Sequence, residues 1–382
     1  MDFLTGNIKR IYFRYLSAAF GSAMITSVYS IVDMAMVGQC HGPDGTAALA
    51  VVAPVWNIIY SLGLLMGIGG SVIFSAKRGA EQKDGAENQY FTMAVLGSVL
   101  LAVLAWVGVL AGGLFNIFGD YFFVFTCDMG IYGAGFATAI GSGLSFVVML
   151  PHFFSRKNTL RLVKVEQGLR KFREISVTGF STFFIDVAMG ILTVLFNRQI
   201  MKYLGTDALA VYGPIIQVST FVQCCAYSVG QAAQPLISTN FGAGKGDRIR
   251  ETLRLALGTA IFFGLFWTVV SMACPNLYVR IFMQPTQRIL EIASAIICLY
   301  AISFLFLPLN IFSTYYFQAI MKPKAAFVVS VARGCVISGI LILLLPVLTG
   351  ADSIWLAMPI TELVVLLYAV ATMKRMTKAL AQ

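Results

Sequence analysis

Acidic side chains inside long apolar stretches are the residues of this chain that could do chemistry. Four of them are Asp33, Asp120, Asp186 and Glu362. An ionisable side chain at bilayer depth costs at least about 2.5–3.5 kcal/mol on insertion scales, so each one needs a reason to be there. A carboxylate buried without a fixed partner can exchange a proton or hold a sodium ion. These residues therefore favour a cation site within the apolar segments.

One set of oxygen-bearing side chains has spacing that fits such a site. Asn116 and Asp120 stand four residues apart and share one face of a helix. Thr138, on the next apolar segment, reaches the same depth if the two helices are antiparallel neighbours. With Asp33 they supply hard oxygen ligands suited to Na⁺ or to a proton relay. The alternative is a structural role, since Asn and Thr commonly join membrane helices by hydrogen bonds.

The second part of the chain carries further polar candidates for cation or substrate binding. They are Asp186, Gln231, Gln234, Gln318 and Glu362. For Glu362 the competing interpretation is a hydrogen bond to a neighbouring backbone. The segment Gln231 to Pro235 combines small residues with a helix breaker, which suggests a bend.

The elements that must position these residues are membrane-spanning helices. Of the 382 residues 58% are hydrophobic and 12% are charged, and the mean hydropathy is +0.82. A soluble domain averages about 25% charged residues, and uncharged windows of about 18 residues indicate spanning helices. The chain is predicted to be an all-α polytopic membrane protein. Ten spans are expected, at 11–38, 48–76, 90–126, 130–154, 172–200, 207–238, 253–274, 289–320, 325–348 and 353–373.

The net charge of +10 reflects membrane topology and not nucleic-acid binding. With the N-terminus on the cytoplasmic side, 22 of the 27 Lys and Arg residues fall in cytoplasmic segments. Such a bias follows the positive-inside rule, so both termini are predicted to be cytoplasmic. Bound lipid headgroups are a secondary interpretation of the basic runs.

Several function classes are excluded by what the sequence contains. The seven cysteines are scattered, with no C-x-x-C pair, and the two histidines lie far from any cysteine cluster. We therefore expect no disulfide framework and no metal centre beyond a possible Na⁺ at the cation site. No nucleophile–base arrangement is present either, so an enzyme and an organic cofactor are not expected.

A repeated phrase indicates that the chain contains two related halves, the alternative being a chance match between two Ala/Val-rich helices. ALAVVAP at Ala48 to Pro54 returns as ALAVYGP at Ala208 to Pro214, and each phrase opens a long apolar stretch. Each stretch ends in a Gly-Ala turn, and the sequence numbers of the turns at Gly79 and Gly242 differ by 163. Near the end of each half this offset has grown to 222, between GIYGAGFAT (130–138) and DSIWLAMPI (352–360). Large duplications of this kind are common in membrane transporters.

The offset grows by 59 between these two pairs, which predicts that a segment of that length is missing from the first half. The gap falls near 112–114, where residues 91–126 would otherwise form a helix of about 54 Å, longer than a bilayer needs. The alternative is a long natural helix kinked at glycines. The predicted organisation is an incomplete N-terminal bundle at 1–154, a cytoplasmic linker at 155–174 and a six-helix bundle at 175–382.

Three segments resemble the multidrug and toxic compound extrusion (MATE) transporters, and most closely their DinF-like branch. They are YSIVDMAMVGQ (29–39), QAAQPLISTNFGAG (231–244) and YFQAIMKPK (316–324). The resemblance implies two pseudo-symmetric bundles of six helices around a central cavity. It also implies export of organic, often cationic, compounds in exchange for H⁺ or Na⁺.

The resemblance carries residue roles to matching positions of this chain. It places a cation site at Asp33, Asn116, Asp120 and Thr138, and it matches Asp186 to an acidic residue of the seventh helix. Two features depart from the pattern. The proline often present in the first helix is replaced by Ser17-Ala18-Ala19, and the chain has ten predicted spans instead of twelve.

The sequence therefore predicts a monomeric cation-coupled antiporter of the bacterial inner membrane, with small organic substrates and the lipid bilayer as its partners. One alternative is a flippase for a lipid-linked precursor, which would need basic residues in its cavity to hold phosphates. Few basic residues lie inside the predicted spans. The other alternative is a truncated remnant without transport activity.

Overall fold

The computed structural model describes residues 3–80, 86–109, 163–282 and 286–379, and the side chains at 25–60, 86, 100–109 and 282 lie outside this description. Within these ranges the chain is helical. The long helices of the first half are α1 (Ile8–Gly79) and α2 (Ala86–Val109). The second half contains α3 (Gly168–Tyr203), α4 (Gly205–Gly242), α5 (Gly246–Ala273), α6 (Pro275–Phe282), α7 (Gln287–Ala319), α8 (Pro323–Val331), a π-helical segment (Ala332–Val336), α9 (Ile337–Leu348), a 3₁₀ segment (Ala351–Leu356) and α10 (Ala357–Ala379).

Six helices in the described part of the chain are long and apolar enough to cross a membrane, and all six belong to the second half. Each lies over one of the six spans predicted there. Helices α8 and α9, joined through the π-helical segment, form a single span from Pro323 to Leu348. The fold is that of an all-α polytopic membrane protein, as predicted.

Helix α1 combines two predicted spans. A straight helix of its 72 residues would be about 108 Å long. The segment just before it and its last residue nevertheless meet neighbouring residues of α4, because Phe3 contacts Asn240 and Gly79 lies against Thr239. The chain therefore reverses direction within α1. Residues 8–24 and 61–79 are two antiparallel passes, as the predicted spans 11–38 and 48–76 require.

Local signals explain where several helices begin. The side chain of Asn7 accepts a hydrogen bond from the backbone N–H of Arg10 at 3.1 Å, and Thr286 caps α7 in the same way. Prolines do not end the helices: Pro235 lies inside α4 and Pro308 lies inside α7. Neighbouring helices and side chains compensate for the lost N–H bond at membrane depth.

The predicted linker at 155–174 is only partly described. Its last residues already form the first turns of α3, which begins at Gly168. Residues 163–165 carry no regular structure and lead into this helix. The division into two bundles stays a prediction, and the predicted gap at 112–114 lies outside the described residues.

Both halves contribute to common hydrophobic cores. Ile68 and Val72 of the second pass of α1 pack in one cluster with Phe196, Tyr212 and Trp355 of the second half. A second cluster combines residues of the first pass, Ile8, Ile11, Tyr12 and Leu16, with side chains of α4, α5, α7 and α10. The passes of α1 are therefore held by the second half through burial of apolar surface.

Helix α5 lies at the periphery. Phe262 and Val269 are 61% and 60% exposed, and both belong to its outer face. Large apolar side chains facing outward are expected where the surrounding solvent is the hydrocarbon of lipid.

Candidate functional site

The four residues of the predicted cation site fall where the structure gives no side chains. Asp33 belongs to the helical backbone of α1, but its side chain is outside the described set. Asn116, Asp120 and Thr138 lie wholly outside the described residues. Their grouping stays a prediction from the sequence.

The second half contains a buried ion pair that joins two helices. Arg333 Nε donates to Glu362 Oε1 at 2.6 Å, and the two side chains are 3% and 0% exposed. The amide of Asn310 donates to the other carboxylate oxygen of Glu362 at 2.6 Å and to its backbone oxygen at 2.8 Å. Both carboxylate oxygens of Glu362 are therefore engaged. Its position is that of an ion-pair partner held in place by hydrogen bonds.

Arg333 lies in a special piece of backbone. It belongs to the π-helical segment between α8 and α9, inside one membrane span. A π-helical turn inserts an extra residue into a helix and changes the direction of the side chains that follow, and such turns are frequent at functional sites. Here it accompanies a guanidinium that is buried opposite Glu362 on α10.

Asp186 of α3 has an incomplete set of partners. Tyr227 OH of α4 donates to Asp186 Oδ1 at 3.2 Å. The other oxygen, Oδ2, is buried and has no hydrogen-bond partner among the described residues. Asp186 lies within electrostatic reach of Arg333. A buried acceptor without a donor costs about 1–3 kcal/mol, so this oxygen is where an added proton, ion or water would be stabilised.

Two further polar atoms near Glu362 and Asp186 lack a hydrogen-bond partner among the described residues. Arg333 Nη2 and Asn310 Oδ1 are buried without a hydrogen-bond partner in the described part of the chain. We call Asp186, Tyr227, Asn310, Arg333 and Glu362 the charge cluster. It contains two carboxylates and one guanidinium, so its ionised form has one negative charge in excess. A buried surplus charge is costly unless a cation or proton neutralises it.

The glutamine candidates fall into two groups. Gln318 is fully buried and donates to the backbone oxygen of Thr178 at 3.1 Å and to Thr182 Oγ1 at 2.9 Å. Gln234 donates to Gln318 Oε1 at 3.5 Å. These two residues therefore join α3, α4 and α7 within the bundle, whereas Gln231 is exposed on α4.

Three partners of the predicted residues were not singled out from the sequence. They are Arg333 and Asn310, which contact Glu362, and Tyr227, which donates to Asp186. The usable signal was an arginine in one span and a glutamate in the next, since ionisable residues inside a membrane usually pair. Which amide and phenol complete the cluster depends on helix rotation, which spacing alone does not give.

The described residues also contain a separate cavity of about 510 Å³. It lies at the end of the molecule that carries Gly79 and Gly242, and none of the charge cluster lines it. Its wall includes Ile73, Arg170, Arg173, Glu174, Val177 and Thr178. Among all the described residues, no group of three His, Cys, Asp or Glu side chains is placed to hold a metal ion.

A family model described as MatE matches the chain twice, at residues 18–121 and 182–344. Together the two matches cover more than half of the chain. The first matched range is shorter than the second, and the difference in length equals the growth of the repeat offset along the sequence.

Individual relatives agree with this match. The multidrug export protein MepA of Staphylococcus haemolyticus is 23% identical, with 87% of this chain and 86% of the relative covered. That alignment is 399 positions long, more than the 382 residues of the chain. The probable multidrug resistance protein YoeA of Bacillus subtilis is 22% identical over 62% of this chain and 65% of its own length.

Among solved structures, the fold is similar to that of a multidrug resistance MATE family transporter of the MOP superfamily in an outward-facing conformation. The TM-score is 0.83 at 16% identity, with 99% of this chain and 98% of the other covered. The architecture, the buried charges within membrane-length helices and the double family match lead to one assignment. The chain belongs to the MatE family of multi-pass membrane transporters, which are not enzymes.

Proposed function

We propose that this protein exports small organic compounds from a bacterial cell in exchange for a cation. The charge cluster carries the proposal, because it pairs the buried Glu362 with Arg333 and places Asp186 within electrostatic reach of the same guanidinium. The buried Asp186 Oδ2 has no donor among the described residues. A site with one surplus negative charge binds H⁺ or Na⁺ in one state and releases it in another. The names of the relatives, which describe multidrug export, support the choice of substrate class.

Within this proposal Glu362 and Asp186 have different roles. Arg333 and Asn310 hold Glu362 as a fixed charge. Asp186 is the titrating or ion-binding carboxylate, and Tyr227 orients it. Arg333 limits the cluster to one excess charge, so a single monovalent cation neutralises it.

The N-terminal site proposed from the sequence is kept as a second cation site. Asp33, Asn116, Asp120 and Thr138 would supply its oxygens. The predicted gap near 112–114 spares all four residues. The coupling ion, the monomeric state and the cytoplasmic position of both termini belong to the same proposal.

We also propose that the first half lacks a segment that the second half retains, with the length given by the growth of the repeat offset. Two observations support the proposal: the first family match is shorter than the second by this length, and the aligned length to MepA exceeds the length of the chain. Transport by the chain is expected to survive the loss, because the charge cluster belongs entirely to the second half.

The flippase alternative is not favoured by the charge cluster. A phosphate-binding cavity needs basic side chains that are free to contact the substrate. Arg333, the only arginine that is buried among the described residues, already forms an ion pair with Glu362.

Efflux of a fluorescent organic cation from cells tests the proposal, with imposed H⁺ and Na⁺ gradients. We expect gradient-driven efflux from the wild type and a loss of at least about tenfold in Asp186→Asn, which removes the surplus charge. Asp207→Asn is the matched control, because Asp207 forms an exposed pair with Arg288 at 3.1 Å. Equal efflux by Asp186→Asn and Asp207→Asn would remove Asp186 from the mechanism.

A further inference from the structure

The N-terminal segment is bound by the second half of the chain. Arg248, in the first turn of α5, donates from Nη2 to the backbone oxygens of Phe3 at 3.0 Å and Gly6 at 2.7 Å. Asn240, near the end of α4, donates to the same oxygen of Phe3 at 3.1 Å. Arg248 Nε also donates to Asn240 Oδ1 at 3.1 Å, which fixes the guanidinium. Charge-assisted hydrogen bonds of this kind are stronger than neutral ones.

A third side chain adds to this contact. Lys245 Nζ donates to the backbone oxygen of Leu4 at 3.1 Å. We call the contact of Asn240, Lys245 and Arg248 with residues 3–6 the N-terminal clasp. It ties the segment that precedes the first helix of the first half to the start of the third long helix of the second half.

The segment that precedes the first helix of the second half is bound in a comparable way. The backbone N–H of Val163 donates to Thr92 Oγ1 at 3.0 Å, and that of Glu166 donates to Gln89 Oε1 at 3.4 Å. Gln89 and Thr92 belong to the first turns of α2, the third helical pass of the first half. Here too a helix start in one half holds the leading segment of the other.

Two charged side chains complete this second contact. Lys171 Nζ donates to Gln89 Oε1 and, at 2.6 Å, to the backbone oxygen of Glu166. Tyr90 OH donates to Glu174 Oε2. We call the contact of Gln89, Tyr90 and Thr92 with residues 163–174 the linker clasp.

Between the two clasps the last turns of α1 and α4 cross in direct backbone contact. A Cβ atom on Gly79 would lie 1.9 Å from the carbonyl oxygen of Thr239, and one on Gly242 would lie 1.9 Å from that of Ala76. The two contacts are reciprocal, since both pairs of equivalent positions differ by the repeat offset of 163. Reciprocal contacts are the property of an interface with two-fold symmetry. The crossing is therefore symmetric, and one clasp for each leading segment lies at the same end of the molecule.

We infer that the two clasps form a reciprocal latch that holds this end of the protein shut. The inference rests on the proposed transport function, because alternating access requires each end to open in turn. Opening this end separates α1 from α4 at the glycine crossing, and both leading segments must then leave the opposite half. The polar groups of the clasps thus set the population of the state in which this end is open.

Hydrogen exchange of the full-length protein in nanodiscs tests the latch, with neither substrate nor gradient present. The readout is the amide exchange of peptides covering 73–80 and 236–244, which contain the crossing. We expect Arg248→Gln to raise their exchange rate by about tenfold or more, because three charge-assisted bonds are lost. Arg250→Gln is the matched control, since Arg250 contacts only the exposed Asp247, at 3.6 Å, among the ion pairs of this turn.

Tyr90→Phe gives an independent test through the linker clasp. It removes one hydroxyl and should raise exchange at the same crossing peptides and at the amides of Val163 and Glu166. Peptides at the opposite end, near the Asp207–Arg288 pair, should keep wild-type exchange. If amide exchange rises at both ends of the protein in Arg248→Gln, that variant is misfolded, and the result for Tyr90→Phe then decides whether the latch exists.

The latch would be overturned if, in both Tyr90→Phe and a folded Arg248→Gln, the exchange rate of the crossing peptides stays within about twofold of the rate in the Arg250→Gln control. The proposed export stands or falls separately, because it is measured by efflux and by Asp186. If Asp186→Asn loses efflux while amide exchange at the crossing is unchanged, the export proposal is supported and the latch is not affected.

Discussion

Arg333 decides which of the two carboxylates of the charge cluster is available to an ion. It pairs with Glu362 at 2.6 Å, and Asn310 occupies the second oxygen of that carboxylate. Asp186 retains an oxygen without a donor among the described residues. The Arg333 guanidinium therefore neutralises Glu362 directly and Asp186 only in part, which leaves Asp186 as the carboxylate that can bind a cation.

Removing the Arg333 guanidinium should lower the free energy of unfolding. Arg333→Gln leaves Glu362 buried and uncompensated, so we expect about 3–5 kcal/mol of destabilisation and a clear fall in Tm. Adding Glu362→Gln should recover part of the loss, because the orphan charge disappears. Arg288→Gln, which breaks an exposed pair with Asp207, should cost no more than about 1 kcal/mol. Thermal unfolding of the purified protein gives all three values, and equal losses in the two single variants would contradict the role assigned to Arg333.

At the level of elements, the crossing of α1 and α4 depends on the absence of two side chains. A Cβ on Gly242 would lie 1.9 Å from a backbone oxygen, which cannot move as freely as the tip of a side chain. The backbones can approach this closely because small residues at helix crossings remove the steric barrier. The Gly-Ala turns that marked the repeat in the sequence are thus one place where the backbones of the two halves touch.

Gly242→Ala should accordingly push the two helices apart and lower Tm. Gly258→Ala is the control within a neighbouring helix, because no atom lies within 4 Å of the added Cβ there. Alanine has the higher helix propensity, so the control should keep or slightly raise Tm. If the two variants have the same Tm, the close backbone contact at Gly242 does not contribute to stability.

The predictable elements were those set by hydropathy alone. The six spans of the second half follow from long uncharged windows, and the structure places a helix over each. The short helix α6 was missed, because its eight residues are fewer than the window of about 11–18 residues over which helical periodicity is read. The pairing of Asn310 with Glu362 was missed because it depends on the rotation of α7 against α10. The clasps could not be foreseen either, since they bind backbone oxygens and N–H groups that any sequence carries.

For the molecule as a whole, the two unequal halves are the central feature. The second half supplies six membrane-length helices, a charge cluster and one side of each clasp. The first half supplies the passes of α1 and the start of α2, which pack against the second half. The proposed loss of a segment near 112–114 would remove packing from the first half without touching the second.

Restoring the corresponding segment of MepA between Gly112 and Gly113 should therefore stabilise the protein. We expect a higher Tm, because the restored helix would bury apolar surface of its own and would pack against neighbouring helices that otherwise contact lipid. An insertion of a flexible Gly/Ser segment of equal length is the control and should give no gain. An unchanged Tm after restoration would favour a naturally complete, long helix.

The most direct test of cation-coupled export uses proteoliposomes that contain the purified full-length chain. An organic cation is placed on one side, and the flux of H⁺ or ²²Na⁺ in the opposite direction is recorded with and without it. We expect a counter-flux that requires the substrate, is retained in Asp207→Asn and is abolished in Asp186→Asn. Substrate movement without any counter-flux, or a counter-flux of wild-type size in Asp186→Asn, would contradict cation-coupled export through Asp186.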